Sequence, residues 1–215
     1  MSLPRGSVPR ILNKMAVKLT KEIAKKIMEV KGEARGIHFK NDAEFILKEK
    51  GKEGLAMVEK ELEVLGYPII YKKISQFDFY PIGLRALSLL AIQKTFAWSD
   101  DEIKELCKYA MNFSWVIKLL MKYFSSIEKV AQETSKTWSQ YFTVGQAFVK
   151  EYDLEKKYAI IVIKDFRLHP VYCRCFEGVV PGVLNMVIAS KKIVCQEIEC
   201  VFNGGKEHKF LIKWQ

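Results

Sequence analysis

Apolar residues at Ile11, Met15, Leu19, Ile23, Ile27 and Val30 recur at spacings of four and three, the period of one helix face, and lysines fill the back. The pattern predicts an amphipathic helix over Arg10 to Val30, ended by Gly32 and Gly36. Asp42 is placed to cap a short helix reaching Lys50; helical spacing resumes from Gly51 to Leu65, and Gly66 with Pro68 stops it. Ile69 to Ile74 is β-rich and alternating, which predicts a short strand or an extended link. Pro81 then opens an apolar helix that ends near Trp98. Ser99 and Glu102 form a capping box for a helix through Ala110. Ser114 caps another, with Trp115, Ile117, Leu119, Leu120 and Phe124 burying one side, and Ser126 to Tyr141 continues the helical series.

At Phe142 the period changes. Thr143 to Tyr152 and Lys157 to Phe166 alternate or run β-branched across a turn at 153–156, which predicts a hairpin. Pro170 starts a helix to about Ala189. Lys192 to Phe202 and His208 to Trp214 then predict a second hairpin across Asn203-Gly204-Gly205, a turn sequence suited to positive φ. Helices first, then hairpin, helix, hairpin, make an α+β protein: a helical N-terminal half packed on an antiparallel sheet of two hairpins with an intervening helix. The expected division is a basic amphipathic arm at 1–31, a helical half at 32–137 and an α+β part at 138–215, the last two forming one compact unit.

Composition narrows the class. At 49% hydrophobic and 28% charged, 215 residues can bury one sizeable core, and the chain is not of disordered type. The apolar stretch from Tyr80 to Trp98 is interrupted by Pro81, Arg85, Gln93 and Lys94, so it predicts a buried helix rather than a membrane span. Five cysteines, an odd and uneven set with no signal peptide before them, point to the reducing cytoplasm, with free thiols or metal ligands rather than a disulfide frame. The formal charge of +10 is lopsided: residues 1–40 hold ten Lys/Arg against three Glu. Such an arm is usually a solvated face, with nucleic acid or an anionic membrane as the functional alternative.

The chemistry-bearing residues concentrate near the C-terminus. Cys173, Glu197, Cys200 and His208 fall within a single block of helix, strand, glycine turn and strand. Aromatic residues and methionine, Trp115, Met121, Phe124, Trp138, Phe142 and Phe176, can wall a small apolar ligand pocket between helices and sheet; filling the core is their bland alternative. The chain lacks a Gly-x-Ser-x-Gly elbow, a phosphate loop and a dinucleotide fingerprint, and no enzymatic activity is expected.

Residues 138–214 resemble the 4-vinyl reductase-type domain, of the superfamily that holds haem-NO-binding sensors and TRAPP vesicle-tethering subunits. The likeness rests on the Trp138–Phe142 entry, His169-Pro170, Cys173 with Gly178 and Gly182, Glu197-x-x-Cys200, the Gly204-Gly205 turn and the closing Phe210 to Trp214 strand. The segments FDFYPIGLRALSLLAI at 77–92 and 114–130 are similar to the helical half of standalone members. The resemblance implies a non-enzymatic sensor-type domain for a small apolar or aromatic ligand. Its alternatives are a TRAPP-like interaction subunit and a haem-based gas sensor, and a homodimer with an unidentified protein partner is expected.

In the aromatic-sensing branch a helix cysteine, a Glu-x-x-Cys pair and a last cysteine hold zinc; here His208 stands at the last position, so Cys173, Glu197, Cys200 and His208 are the implied zinc ligands. Glu197 and Cys200, three apart, lie on opposite faces of a regular strand, so a bulge is needed to bring them together. Haem is not expected, because the helical half between Asp42 and Phe142 contains no histidine to ligate it.

Overall fold

The structure is a computed structural model and describes residues 19–113, 126–185, 187–188, 190 and 192–215. The fold is α+β: N-terminal helices pack on an antiparallel sheet of two hairpins with an intervening helix. Helices are α1 Lys21–Met28, α2 Ile37–Val64, α3 Ile82–Phe96, α4 Asp100–Phe113, α5 Ile127–Tyr141 and α6 Val171–Leu184. Strands are β1 Glu33–Arg35, β2 Phe79–Pro81, β3 Gln146–Asp153, β4 Tyr158–Lys164, β5 Ile193–Glu199 and β6 His208–Trp214.

Apolar pattern sets the layers. Helix α3 is buried from Ile82 to Gln93 with one residue, Leu84, partly excepted, so it has no solvent face and sits at the centre of the helical half. Thr20 caps α1 by accepting the Ile23 N–H, and the Ser99 backbone N–H reaches Glu102 at 2.6 Å, half of the expected capping box. Strands β3, β4, β6 and β5 pair in that order, all antiparallel, and the inner face of the sheet contributes Phe210 and Ile212 to the core. Helix α6 covers that face and packs along α4, joining the two halves.

Several local expectations are revised. Asp42 is not a helix cap: it lies fully buried inside α2, paired with Arg85 of α3 at 2.7 and 2.9 Å. The helix begins earlier, at Ile37, and runs on to Val64 across a break at Gly51, whose φ of +70° only glycine adopts readily. Ile69 to Ile74 forms a 3-10 turn at Tyr71–Lys73 instead of a strand, because the Tyr71 N–H is taken by Glu59 and its hydroxyl by Ser88. Helix α6 stops at Leu184, short of Ala189. Strands β1 and β2 pair as three-residue partners that the sequence pattern does not disclose. Residues 10–18 of the expected first helix and 114–125, with Trp115, Met121 and Phe124 among them, lie outside the described residues.

The contact of α4 with α6 depends on Gly178, where any Cβ would collide with the Lys104 carbonyl. That accounts for a glycine mid-helix despite its poor propensity. Gly178→Ala is expected to lower stability by about 2 kcal/mol, as overpacked helix contacts do, which a urea denaturation midpoint reads. A midpoint equal to the parent's would show that the helices separate without cost.

Candidate functional site

Pro170 and the His169 ring, whose Nδ1 accepts the Val171 N–H, start α6 and place Cys173 in its first turn, buried. On the facing edge, β5 changes register against β6 between Glu197 and Glu199. This is the bulge that the spacing required, and it turns Glu197 and Cys200 to one side. His208, the first residue of β6 and only 2% exposed, closes the set. The ligand atoms of Cys173, Glu197, Cys200 and His208 all lie within 4.8 Å of one another. Sγ of Cys173 is 3.8 Å from Sγ of Cys200 and 3.7 Å from Nδ1 of His208, and that nitrogen is 2.9 Å from Oε1 of Glu197. Two sulfurs each about 2.3 Å from a tetrahedral zinc stand roughly 3.8 Å apart, so the sulfur edge already has the required length.

Hydrogen bonding defines what the cluster lacks. Nε2 of His208 lies 2.9 Å from the Phe166 carbonyl, which can only accept, so Nε2 carries the proton. In a neutral ring Nδ1 is then a bare lone pair facing a carboxylate oxygen at 2.9 Å. Two acceptors at that separation need a proton or a metal ion between them. Burial opposes charge on Glu197, but hydrogen bonds from His208, Cys173 and Cys200 outweigh it and hold its carboxyl below the usual range. Burial, with Glu197 beside it, pushes the Cys173 thiol up, so a metal ion is what would make it a thiolate. Around the four, Arg174 donates to Glu197 at 3.1 Å and to Glu177 at 2.7 Å, while Glu177 accepts the Glu197 N–H. Such partners orient ligands. Four protein ligands leave no open position, which suits a structural ion rather than a catalytic one.

A second constellation lies at the seam between the helical half and the sheet half. Trp138, Phe142 and Phe176, expected as pocket residues, do meet: Trp138 is 4.6 Å from Phe142 and 5.5 Å from Phe176 between ring centroids. Phe166 and Tyr172 complete the cluster. His38 stacks on Phe142 at 5.0 Å from the helical side, and Tyr172 reaches the same ring from α6 at 6.4 Å. Three buried side-chain atoms of the described residues have no partner, Nε of Arg35, Nε2 of His38 and the Tyr172 hydroxyl, whereas Nη1 of Arg85 is ion-paired with Asp42 at 2.7 Å. Arg85 and Arg35 both act electrostatically on His38, and Arg85 on Tyr172. Burial first, and then the two arginines, push His38 down to about 3, so its ring is neutral at physiological pH.

Sequence reasoning passed over His38, Arg35, Arg85 and Tyr172. The one legible signal was Arg85, a cation in the middle of a mostly apolar helix.

No family model matches the chain, and no curated protein matches it in sequence. Solved structures do match in fold. An H-NOX protein from S. oneidensis in the Fe(II)NO ligation state aligns with a TM-score of 0.64 at 13% identity, over 84% of this chain and 99% of that one. An Fe(II) unliganded H-NOX protein from K. algicida aligns at 0.58 with 17% identity, over 84% and 96%. A structure solved to probe heme distortion in the H-NOX family aligns at 0.59 with 13% identity, over 84% and 95%. These likenesses are to the H-NOX fold at large and carry nothing specific to the 4-vinyl reductase branch. They overturn the expectation that haem is not to be looked for; no histidine lies between Asp42 and Phe142, but His38, just before that span, has a buried ring nitrogen without a partner. The chain has the H-NOX fold, with a four-ligand cluster in its sheet half and unpartnered polar atoms at its seam.

Proposed function

We propose that this chain is a non-catalytic, sensor-type ligand-binding domain whose ligand sits at the seam, with haem the first ligand to test and His38 the residue that would hold its iron. The observation that carries the reading is the buried Nε2 of His38, which has no partner although both neighbouring rings are packed. A buried polar atom without a partner is costly, and one held neutral is in the state an iron ligand needs. Haem, when bound, supplies an iron centre able to bind a diatomic gas. His38 on α2 and Tyr172 on α6 both border the seam, so any occupant touches both halves and biases their relative packing.

Protein purified from haem-supplied cells and titrated with hemin under reducing conditions should take up close to one iron per chain with a Soret band. His38→Ala should lose the band while melting within a few degrees of the parent. Absence of the band in the parent sinks the haem reading, and a band that survives His38→Ala sinks the assignment of the ligand.

A second reading concerns the cluster of Cys173, Glu197, Cys200 and His208. We infer a structural zinc clip that ties the start of α6 to both strands of the second hairpin. Its support is the 3.8 Å sulfur edge and the two facing acceptors of His208 and Glu197.

A further inference from the structure

Arg174 stands behind the cluster of Cys173, Glu197, Cys200 and His208, not in it. Nη2 of its guanidinium donates to Oε2 of Glu197 at 3.1 Å, Nη1 donates to Oε2 of Glu177 at 2.7 Å, and Nε lies 4.0 Å from Asp100. The two oxygens of Glu197 are therefore divided. Oε2 is held by Arg174, while Oε1 lies 2.9 Å from Nδ1 of His208, another atom of the ligand set. Glu177 fixes the guanidinium in turn, and both of its own oxygens are used. Its Oε1 accepts the Glu197 N–H at 2.9 Å, and its Oε2 also meets Nζ of Lys104 on α4 at 3.0 Å. Both carboxylates are nearly closed to solvent, at 6% side-chain exposure for Glu177 and 5% for Glu197, with Arg174 at 16%. Charge agrees with the geometry. Two thiolates and a carboxylate around a divalent ion leave one negative charge, and a buried charge needs a partner. Arg174 supplies the positive one, and Glu177 and Lys104 balance each other.

We propose that Arg174 is a positioning residue that sets the coordination number of the metal cluster. By holding Oε2 of Glu197 it leaves only Oε1 to the ion, which makes the site selective for a four-coordinate cation such as zinc. This rests on the clip reading and adds what decides which ion the clip takes. A carboxylate free at both oxygens can chelate an ion through the pair and raise its coordination. One held at an oxygen by a guanidinium fork offers a single lone-pair donor. Because Glu177 ties that fork to Lys104, the packing of α4 against α6 at Gly178 and the geometry of the cluster share one chain of ion pairs. Lysine in place of Arg174 keeps the charge, but a point donor does not bridge two carboxylates as a planar fork does.

The test loads the full chain with zinc and, separately, with cobalt(II), whose visible d–d bands are intense in a tetrahedral set and weak at higher coordination. Arg174→Gln is expected to weaken zinc binding by about 10- to 100-fold in chelator competition, the usual cost of losing a partner that orients a ligand. The same variant should weaken the cobalt bands. Arg174→Lys should recover part of the affinity through its charge, but not the bands. Glu177→Gln keeps an acceptor for the Glu197 N–H and loosens the guanidinium, so it should move the bands the same way by less. That variant carries the test should Arg174→Gln lose its circular dichroism. A parent with intense bands, and variants that match it in bands and affinity, overturn the proposal while the clip reading stands. Weak bands in the parent itself, with zinc taken up, do the same. Full recovery of the bands in Arg174→Lys shows that charge alone acts and removes the positioning role. A parent that takes up neither ion overturns both readings.

Discussion

Protein purified without added metal is expected to hold close to one zinc ion per chain, and Cys200→Ala to hold none. Loss of one of four ligands opens a closed tetrahedral set, and Cys200 contributes one end of the 3.8 Å sulfur edge. A site filled at about a thousand times its dissociation constant adds roughly 4 kcal/mol to stability by mass action. For a domain of this length that is a fall of roughly 10 °C in melting temperature on removal. Chelation of the parent should therefore reproduce the melting temperature of Cys200→Ala, and chelator should leave the variant unmoved. The comparison with chelated parent protects the test, since a poorly folding variant alone decides nothing. The effect should extend to the seam: Nε2 of His208 holds the Phe166 carbonyl at 2.9 Å, and the Phe166 ring packs 5.1 Å from Tyr172. Ligand affinity at the seam should weaken with the metal removed. A parent that contains no zinc and melts identically with and without chelator ends the clip reading.

The second hairpin was legible because its strands alternate and its turn is glycine-rich; β5 and β6 pair where that pattern puts them. The grouping of Cys173, Glu197, Cys200 and His208 was legible in spacing but not in geometry. Glu197 and Cys200 converge only through the register change between Glu197 and Glu199, and a bulge depends on what the partner strand does. Short β1 and β2 were invisible because three residues carry no period, and their partners lie more than forty positions apart in the chain. Asp42 shows a different limit. At the start of a helical pattern an aspartate reads as a cap, yet here the start lies five residues earlier, at Ile37, and the carboxylate faces Arg85 in the core. Nothing near His38 in the chain discloses its partner, because its ring stacks on Phe142, more than a hundred residues on. Local pattern recovers elements; it does not recover which polar side chain meets which across a seam.

Arg85→Met is expected to destabilise the protein by about 3–5 kcal/mol, roughly 10 °C in melting temperature, because Asp42 is left as an unpaired buried carboxylate. Both partners are almost wholly excluded from solvent, at 4% and 1% side-chain exposure, and Ser88 is the remaining hydrogen-bond partner of Asp42 at 3.3 Å. Replacing both, as in Asp42→Leu with Arg85→Met, should recover most of the loss, since two apolar groups leave no orphaned charge. The pH dependence has a definite sign. Burial raises the Asp42 carboxyl from 3.8 to about 6, with Arg85 and Ser88 opposing the rise. The folded state therefore holds this proton to higher pH than the unfolded chain does, and folding takes up a proton between about pH 4 and 6. The contribution of Asp42 to stability is fully present below about pH 4 and is lost as pH rises through about 6. Without Arg85 the folded carboxyl moves higher still, so the penalty of Arg85→Met should be small at pH 4.5 and grow toward pH 8. Asp42→Asn should flatten that window in the parent. Urea midpoints of the parent and three variants at pH 4.5 and 8 read all of this. A penalty independent of pH would mean that Arg85 stabilises the core through packing of its stem and not through its charge.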